Sequence, residues 1–187
     1  EIGLDGFYDG QILRYNHSVG SFAFAASLEI ADDRSVTLDG EDLSSLFGTD
    51  FGIGSSSIVV DYGAVFGLGA KYSENGLSFG LGYQTTGVDI NDSGNAETID
   101  FWSIAASAGY EIDGFNIVAN LGRTEADVKL GEAGDGTLRT DHIGLGASYT
   151  VDALTVAANW GQYTHEAVGM GSITESGFGL AVNYDLG

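Results

Sequence analysis

Apolar residues alternate with small or polar residues along most of the chain, in segments of about ten residues. In one segment Phe66, Leu68, Ala70 and Tyr72 occupy alternate positions, with glycine and lysine residues between them. A period of two places successive side chains on opposite faces of a β-strand, and no part of the chain has a comparable helical period. The pattern therefore predicts strands that each have one apolar face.

Short turns join these strands in pairs. The clearest is Asn75-Gly76, because both residue types tolerate positive φ and together favour a two-residue hairpin turn. The other predicted turns are Val19-Gly20, Asp113-Gly114 and Asp152-Ala153. The sequence predicts nine strands, joined alternately by such turns and by longer acidic connections. These connections are predicted at residues 91–95 and 131–136, and the longest of all at 31–57.

The second face of the predicted strands is small and polar. Serine, glycine and asparagine predominate on it, as at Ser103, Ser107, Gly109, Asn116 and Asn120. Such a face suits the wet interior of a barrel better than the charged outer surface of a soluble β-sandwich. The chain has 30 Gly and no Pro among its 187 residues, which favours a sheet in which nearly every backbone N–H is bonded.

Tyrosine recurs at the strand ends that precede the short turns. The predicted girdle consists of Tyr15, Tyr72, Tyr110, Tyr149 and Tyr184, of which the last four are 38, 39 and 35 residues apart. Trp102 and Trp160 lie at the opposite ends of their strands and predict a second girdle. Amphipathic aromatic side chains at a constant level are typical of membrane–water interfaces. The predicted fold class is all-β, an antiparallel transmembrane β-barrel with short periplasmic turns and long acidic outer loops.

Charge and composition exclude several other classes of protein. The chain has 6 basic and 27 acidic residues and a net charge of −21, which argues against binding to nucleic acid. The absence of Cys excludes disulfides and thiol chemistry. No run of about 18 apolar residues is present, which excludes a membrane-spanning helix, and the first residues lack the pattern of a signal peptide.

Three charged residues are candidates for the pore. Arg14 alternates with Leu13 and Tyr15 and is therefore predicted to face the lumen, where a fixed cation influences passing solutes. The alternative for Arg14 is a position at the rim, paired with a loop carboxylate. Lys71 and Glu111 also follow the lumen-facing pattern, but close to short turns, where simple solvation is the expectation.

No group of residues forms a convincing catalytic or metal site, so the chain is predicted not to be an enzyme. His17, His142 and His165 lack the spacing of metal ligands, and no nucleophile has a plausible base. The acidic loops contain carboxylate oxygens of the kind that bind Ca²⁺, but they match no calcium-binding motif. We therefore expect solvated loops and no cofactor.

Three segments resemble the general porins of alphaproteobacteria such as Rhodobacter, namely residues 12–27, 144–149 and 179–187. Those porins are trimers of sixteen-stranded barrels. The resemblance implies a homotrimeric channel, embedded in the lipid bilayer of the bacterial outer membrane, through which ions and small hydrophilic solutes diffuse passively. It also implies that residues 1–187 are one incomplete barrel domain with about nine of the strands. Lipopolysaccharide is a candidate contact of the outer loops.

The same resemblance assigns residues 1–10 to the end of a long loop that folds into the barrel and narrows it. Asp5 and Asp9 are then candidate acidic residues at the constriction, which implies a mild preference for cations. The chain lacks a start-of-barrel segment and ends at Leu186-Gly187 rather than on an aromatic residue, as expected for part of such a barrel.

Three alternatives remain. A small structural or adhesion barrel without an open pore would fill its interior with interlocking, often charged side chains, whereas this inner face is dominated by Gly, Ala, Ser and Asn. A barrel enzyme needs a catalytic constellation near one rim. A soluble β-repeat adhesin would leave the regular tyrosines unexplained.

Overall fold

The computed structural model describes residues 10–31, 35–38, 58–92, 95–129 and 135–185. These residues form one antiparallel sheet of eleven strands. The strands are β1 (Gly10–Val19), β2 (Phe22–Ala31), β3 (Ser35–Leu38), β4 (Ile58–Tyr62), β5 (Val65–Glu74), β6 (Leu77–Asp92), β7 (Asn95–Ile112), β8 (Phe115–Lys129), β9 (Asp135–Val151), β10 (Leu154–Ala167) and β11 (Gly171–Tyr184). In this part of the chain, no helix has the length and hydropathy needed to cross a membrane.

Nine of the strands follow one another across the sheet in chain order, from β1 through β2 and β5 to β11. They are the nine strands predicted from the alternating pattern, so the antiparallel all-β architecture is confirmed. Strands β3 and β4 lie off this path, because β4 pairs with β3 and with the far end of β6. In the described part of the connection predicted over residues 31–57, Ser35–Leu38 form β3, and the connection leads into β4, which extends the sheet beyond β5.

A bulge lets β4 and β5 share β6 as a partner. Three residues lie between Tyr62 and Phe66, whereas only two lie between their partners on β6. The N–H of Gly63 donates to the carbonyl oxygen of Gly87 at 2.8 Å, and a Cβ on Gly63 would lie 2.7 Å from the same oxygen. A glycine is needed there because the two backbones approach so closely.

The two-residue turns have the backbone conformation that their residues favour. Their positive-φ residues are Gly20 (57°), Asn75 (50°), Gly76 (80°), Asp113 (48°), Gly114 (80°) and Asp152 (49°). Positive φ at the centre of a hairpin turn matches the right-handed twist of the strands. The first turn lies one residue later than predicted, because Val19 still pairs with Phe22 and the turn consists of Gly20 and Ser21.

The predicted acidic connection at residues 91–95 consists mostly of strand. Asn91 and Asp92 end β6, Asn95 begins β7, and Asp92 is opposite Asn95 in the register. Likewise Asp135 already belongs to β9. Polar residues do not interrupt a strand when its backbone is paired on both sides, so the strands continue well beyond their apolar stretches.

Each hairpin is displaced from its neighbour by a constant step. Four equivalent backbone hydrogen bonds join a turn to the next strand; they are Ser73 N to Ser21 O, Glu111 N to Gly76 O, Thr150 N to Gly114 O and Asp185 N to Ala153 O. For the first three bonds, the bonded residue lies three residues before the matching residue of its own turn, as Ser73 does before Gly76. An offset of three residues is about 10 Å along the strand, and the width of two strands is about 9.6 Å. If all the turns lie at one level along the barrel axis, the strands are therefore tilted by about 45° from that axis.

The sheet has two contrasting faces and almost no protein core. The apolar face contains large side chains with exposed fractions from 47% to 77%, among them Leu81, Ile117, Leu145, Val156 and Leu180. The polar face is formed by the alternate residues of the same strands. Val65 is the buried hydrophobic residue of the described segments, at 9% exposure. An apolar surface of this extent is unfavourable in water and therefore requires lipid or another apolar surface against it.

Candidate functional site

Polar side chains on the polar face lie over glycines of the neighbouring strand. The register pairs are Ser27 with Gly67, Ser107 with Gly80, Ser78 with Gly109, Asn120 with Gly144 and Asn159 with Gly179. A Cβ on any of these glycines would lie 2.6–2.7 Å from the partner's side-chain oxygen. The glycines therefore make room for polar groups that lie flat against the sheet, and the polar face is hydrophilic and nearly smooth.

The three predicted pore residues are all on the polar face. Arg14 on β1 is opposite Ser27, and its Nε donates to Asn16 Oδ1 at 3.0 Å. No carboxylate of the described residues pairs with it, so the alternative of a rim ion pair has no partner in that part of the chain. Lys71 on β5 is opposite Gly80, and Glu111 on β7 is opposite Asn116, next to a turn. Asp5 and Asp9 lie outside the described residues.

Four of the predicted girdle tyrosines share one level of the apolar face. Tyr72, Tyr110, Tyr149 and Tyr184 each come directly before a residue that bonds to the neighbouring turn. Tyr15 lies on the same face but two residues further from its turn than Tyr72 does.

Further aromatic side chains extend this level. The ring of Tyr72 packs against Phe22 with centroids 5.0 Å apart, and that of Tyr149 against Phe115 at 4.2 Å. Trp102 and Trp160 both end the apolar stretch of their strands, but Trp102 lies eleven residues from its turn and Trp160 seven. The tryptophans therefore do not share a level.

A polar collar replaces the apolar side chains at the far end of the apolar face. Its ion pairs are Arg123–Asp141 at 2.6 Å, Arg139–Glu125 at 2.8 Å, Arg139–Glu166 at 3.5 Å and Lys129–Asp100 at 2.9 Å. All of these side chains lie on the same face of their strands as Leu121, Ile143 and Trp160, but further from the short turns.

Sequence reasoning missed this collar. The signal was present in β8, where charged residues continue the alternation directly after Leu121. On this face of β8 the residues change from leucine to arginine and glutamate, and the change indicates the level at which the apolar environment ends.

No group of His, Asp and Glu in the described residues has the geometry of a metal site. The arrangement instead combines an apolar band, a polar collar and an opposite hydrophilic face in one antiparallel sheet. A sheet with these features can separate hydrocarbon from water.

The comparisons with known proteins agree with this architecture. The Gram-negative porin family matches residues 2–187. The backbone is similar to that of a porin refined at 1.8 Å resolution, with 20% sequence identity and a TM-score of 0.59, over 96% of this chain and 52% of that one. It is also similar to the Pseudomonas putida toluene transporter TodX, with 15% identity and a TM-score of 0.47, over 95% of this chain and 65% of that one.

No curated protein sequence matches significantly. The chain spans about half the length of the solved porin, since it covers 52% of it. The family match extends over all eleven strands and agrees with the two-faced antiparallel sheet that the sequence predicted. The chain therefore belongs to the Gram-negative porin family, whose location is the bacterial outer membrane.

Proposed function

We propose that this chain forms part of the wall of a water-filled channel through which ions and small hydrophilic solutes diffuse passively. The observation that carries the proposal is the polar face, on which serine and asparagine side chains lie flat over glycines rather than filling an interior. Selection in such a channel rests on size and on the field of charged groups, with no chemical step. The chain accordingly acts as a transporter and not as an enzyme.

The position in the membrane follows from the apolar face. Outward apolar residues of β7 extend from Trp102 to Ile112, and ten residues at a tilt of about 45° span about 23 Å, close to the apolar band of outer-membrane barrels. In this arrangement Tyr72 and its equivalents form the periplasmic girdle. The collar around Arg139 then lies at the outer headgroups, where lipopolysaccharide is the expected lipid neighbour.

At the two ends of the nine-strand path, β1 and β11 each pair on one side only among the described residues, and further strands would be needed there to close a barrel. We propose that it is part of a sixteen-stranded barrel within a homotrimer, with residues 1–187 as one domain and residues 1–10 as the end of the constriction loop. Asp5 and Asp9 would then make the constriction acidic, which together with the net charge of −21 gives a mild preference for cations.

The test is single-channel conductance of the native protein in a planar bilayer, with a salt gradient to give the reversal potential. We expect stable open channels with a cation preference. Arg14→Glu, on the polar face, should increase that preference, whereas the matched change Lys129→Glu, on the collar, should not alter it. An anion preference would contradict the proposed acidic constriction. Folded, inserted protein without channels would favour a structural barrel.

A further inference from the structure

Three aromatic side chains stack on the polar face of β9 and β10. His142 is opposite Tyr163 in the register, and their ring centroids are 4.9 Å apart with an interplanar angle of 26°. The ring of Tyr163 is nearly parallel to that of His165, at 6.2 Å and 5°. His165 Nδ1 lies 3.0 Å from Thr140 Oγ1, a hydrogen bond that fixes the orientation of this imidazole. The three rings therefore form one group of hydrogen-bonding side chains on the polar face of the sheet.

A trough lies directly beside this stack. His142, Tyr163 and Glu175 form one row across the polar face. The next row on the same face, two residues nearer the short turns, consists of three glycines, Gly144, Gly161 and Gly177. The amide of Asn120 lies over Gly144, whereas the backbone at Gly161 and Gly177 is uncovered, and a Cβ on Gly177 would meet no atom within 4 Å. Gly144 and Gly161 line a cavity with a volume of about 390 Å³, within the range of small-molecule sites, and Gly177 continues their row on β11. Among its lining residues are Asn120, Asn159, His142 and Tyr163.

The groups around the trough both donate and accept hydrogen bonds. Of the groups that line the cavity, the amide of Asn159, the phenol of Tyr163 and the imidazole of His142 can do either, and Glu175 adds an acceptor opposite Tyr163 in the register. On the polar face of the described parts of β8 to β11 there is no lysine or arginine to bind an anionic solute. A cation would find a single carboxylate. Solute hydroxyl groups, which also donate and accept, match this set best.

We propose that the trough bounded by the His142–Tyr163–His165 stack, Glu175, Asn120 and Asn159 is a weak binding subsite for neutral saccharides in the channel wall. The inference rests on the proposed channel and specifies a class of solute for it. One side of the trough is open, so binding should be weak, with a dissociation constant on the order of millimolar, and release correspondingly fast. A subsite of this kind raises the local concentration of sugar without obstructing its passage.

The probe is maltotriose, added to the native protein in a planar bilayer while the ion current is recorded. A polyethylene glycol of matched hydrodynamic size is the control, because it excludes the same volume but has only its two terminal hydroxyl groups to donate hydrogen bonds. We expect maltotriose to reduce the current in a saturable way and to increase current noise, with a smaller, non-saturating effect of the glycol. Equal effects of the two solutes would overturn the inference.

Three variants of the subsite and one control variant separate the subsite from the rest of the channel. Tyr163→Phe, which removes a hydroxyl group, and Glu175→Ala, which removes an acceptor, should each weaken the saccharide effect by about fivefold, the value of one hydrogen bond. Gly177→Leu should weaken it by filling the trough, with no change of polar groups. Tyr110→Phe makes the same change as Tyr163→Phe on the apolar face and should leave the saccharide effect unaltered.

The outcomes distinguish this inference from the proposed function. Open channels whose maltotriose response is unchanged in both Tyr163→Phe and Gly177→Leu would overturn the subsite and leave the diffusion channel intact. Folded, inserted protein that opens no channel in any salt would overturn the proposed function and the subsite together. A response lost in Gly177→Leu and retained in Tyr110→Phe would support the subsite.

Discussion

Ala157 and Ala158 are neighbours on β10 that face opposite sides of the sheet, so the same substitution at both tests the assignment of the faces. Ala158 is opposite Ala147 and Leu180 on the apolar face, and Ala157 is opposite Ser148 on the polar face. We expect Ala158→Arg to destabilise the protein strongly in a membrane and Ala157→Arg to have little effect on stability. The two variants have the same composition and net charge.

The magnitude follows from the depth of the two residues. Ala158 lies five residues from Ala153 in the turn, which at a tilt of about 45° is about 12 Å above the turns and near the middle of the apolar band. An arginine facing lipid at this depth costs about 2–4 kcal/mol. At Ala157 the guanidinium stays in the water of the channel, and the expected change is within about 0.5 kcal/mol. The two folding equilibria should therefore differ by a factor of at least about ten.

The assay is denaturant-induced unfolding of the native protein in lipid vesicles, followed by tryptophan fluorescence. Trp102 and Trp160 each lie at the end of the apolar segment of their strand, so their fluorescence emission reports the transfer from lipid to water. The free energies of unfolding of both variants are compared with that of the parent protein. Equal losses at the two positions, or a larger loss for Ala157→Arg, would refute the face assignment and with it the proposed channel wall.

Two further predictions concern the turns and the collar. Gly76→Ala places a Cβ against the carbonyl oxygen of Glu111 at a φ of 80°, so the free energy of unfolding should fall by about 1–3 kcal/mol; an unchanged denaturation midpoint would contradict the turn geometry. Arg139→Met leaves Glu125, whose side chain is 15% exposed, without its cation, and should cost about 1–3 kcal/mol in the same assay. Lys129→Met breaks a more exposed pair and should cause no measurable change, so equal losses would show that exposure does not govern these ion pairs.

The alternating pattern was sufficient to predict the strands and turns near the apolar band. Asn75-Gly76 and Asp113-Gly114 carry their conformation in their own residues, and such local preferences need no tertiary information. The pairing of β3 with β4 and the docking of β4 on β6 were not predictable, because they depend on contacts distant in sequence. The sequence predicts a loop at the acidic ends of β6 and β7, because polar residues there interrupt the apolar alternation that identifies a strand.

The cluster of His142, Tyr163 and His165 was accessible to sequence reasoning but was overlooked. A two-residue turn at Asp152-Ala153 fixes the register of β9 and β10, so the numbers of opposed residues have a constant sum. That sum places His142 opposite Tyr163. The histidines appear scattered along the chain only when the hairpin register is not applied.

The three-residue step between hairpins also determines the size of the hole that such a wall can enclose. Along the membrane plane each hairpin occupies about 14 Å, the diagonal of its 10 Å step and its 9.6 Å width. Eight such hairpins, as in the proposed sixteen-stranded ring, give a perimeter of about 110 Å and a backbone diameter of about 35 Å. The same number of strands without tilt would enclose a ring with a backbone diameter of about 24 Å. A constant offset in hydrogen-bond register thus doubles the cross-section without adding a strand.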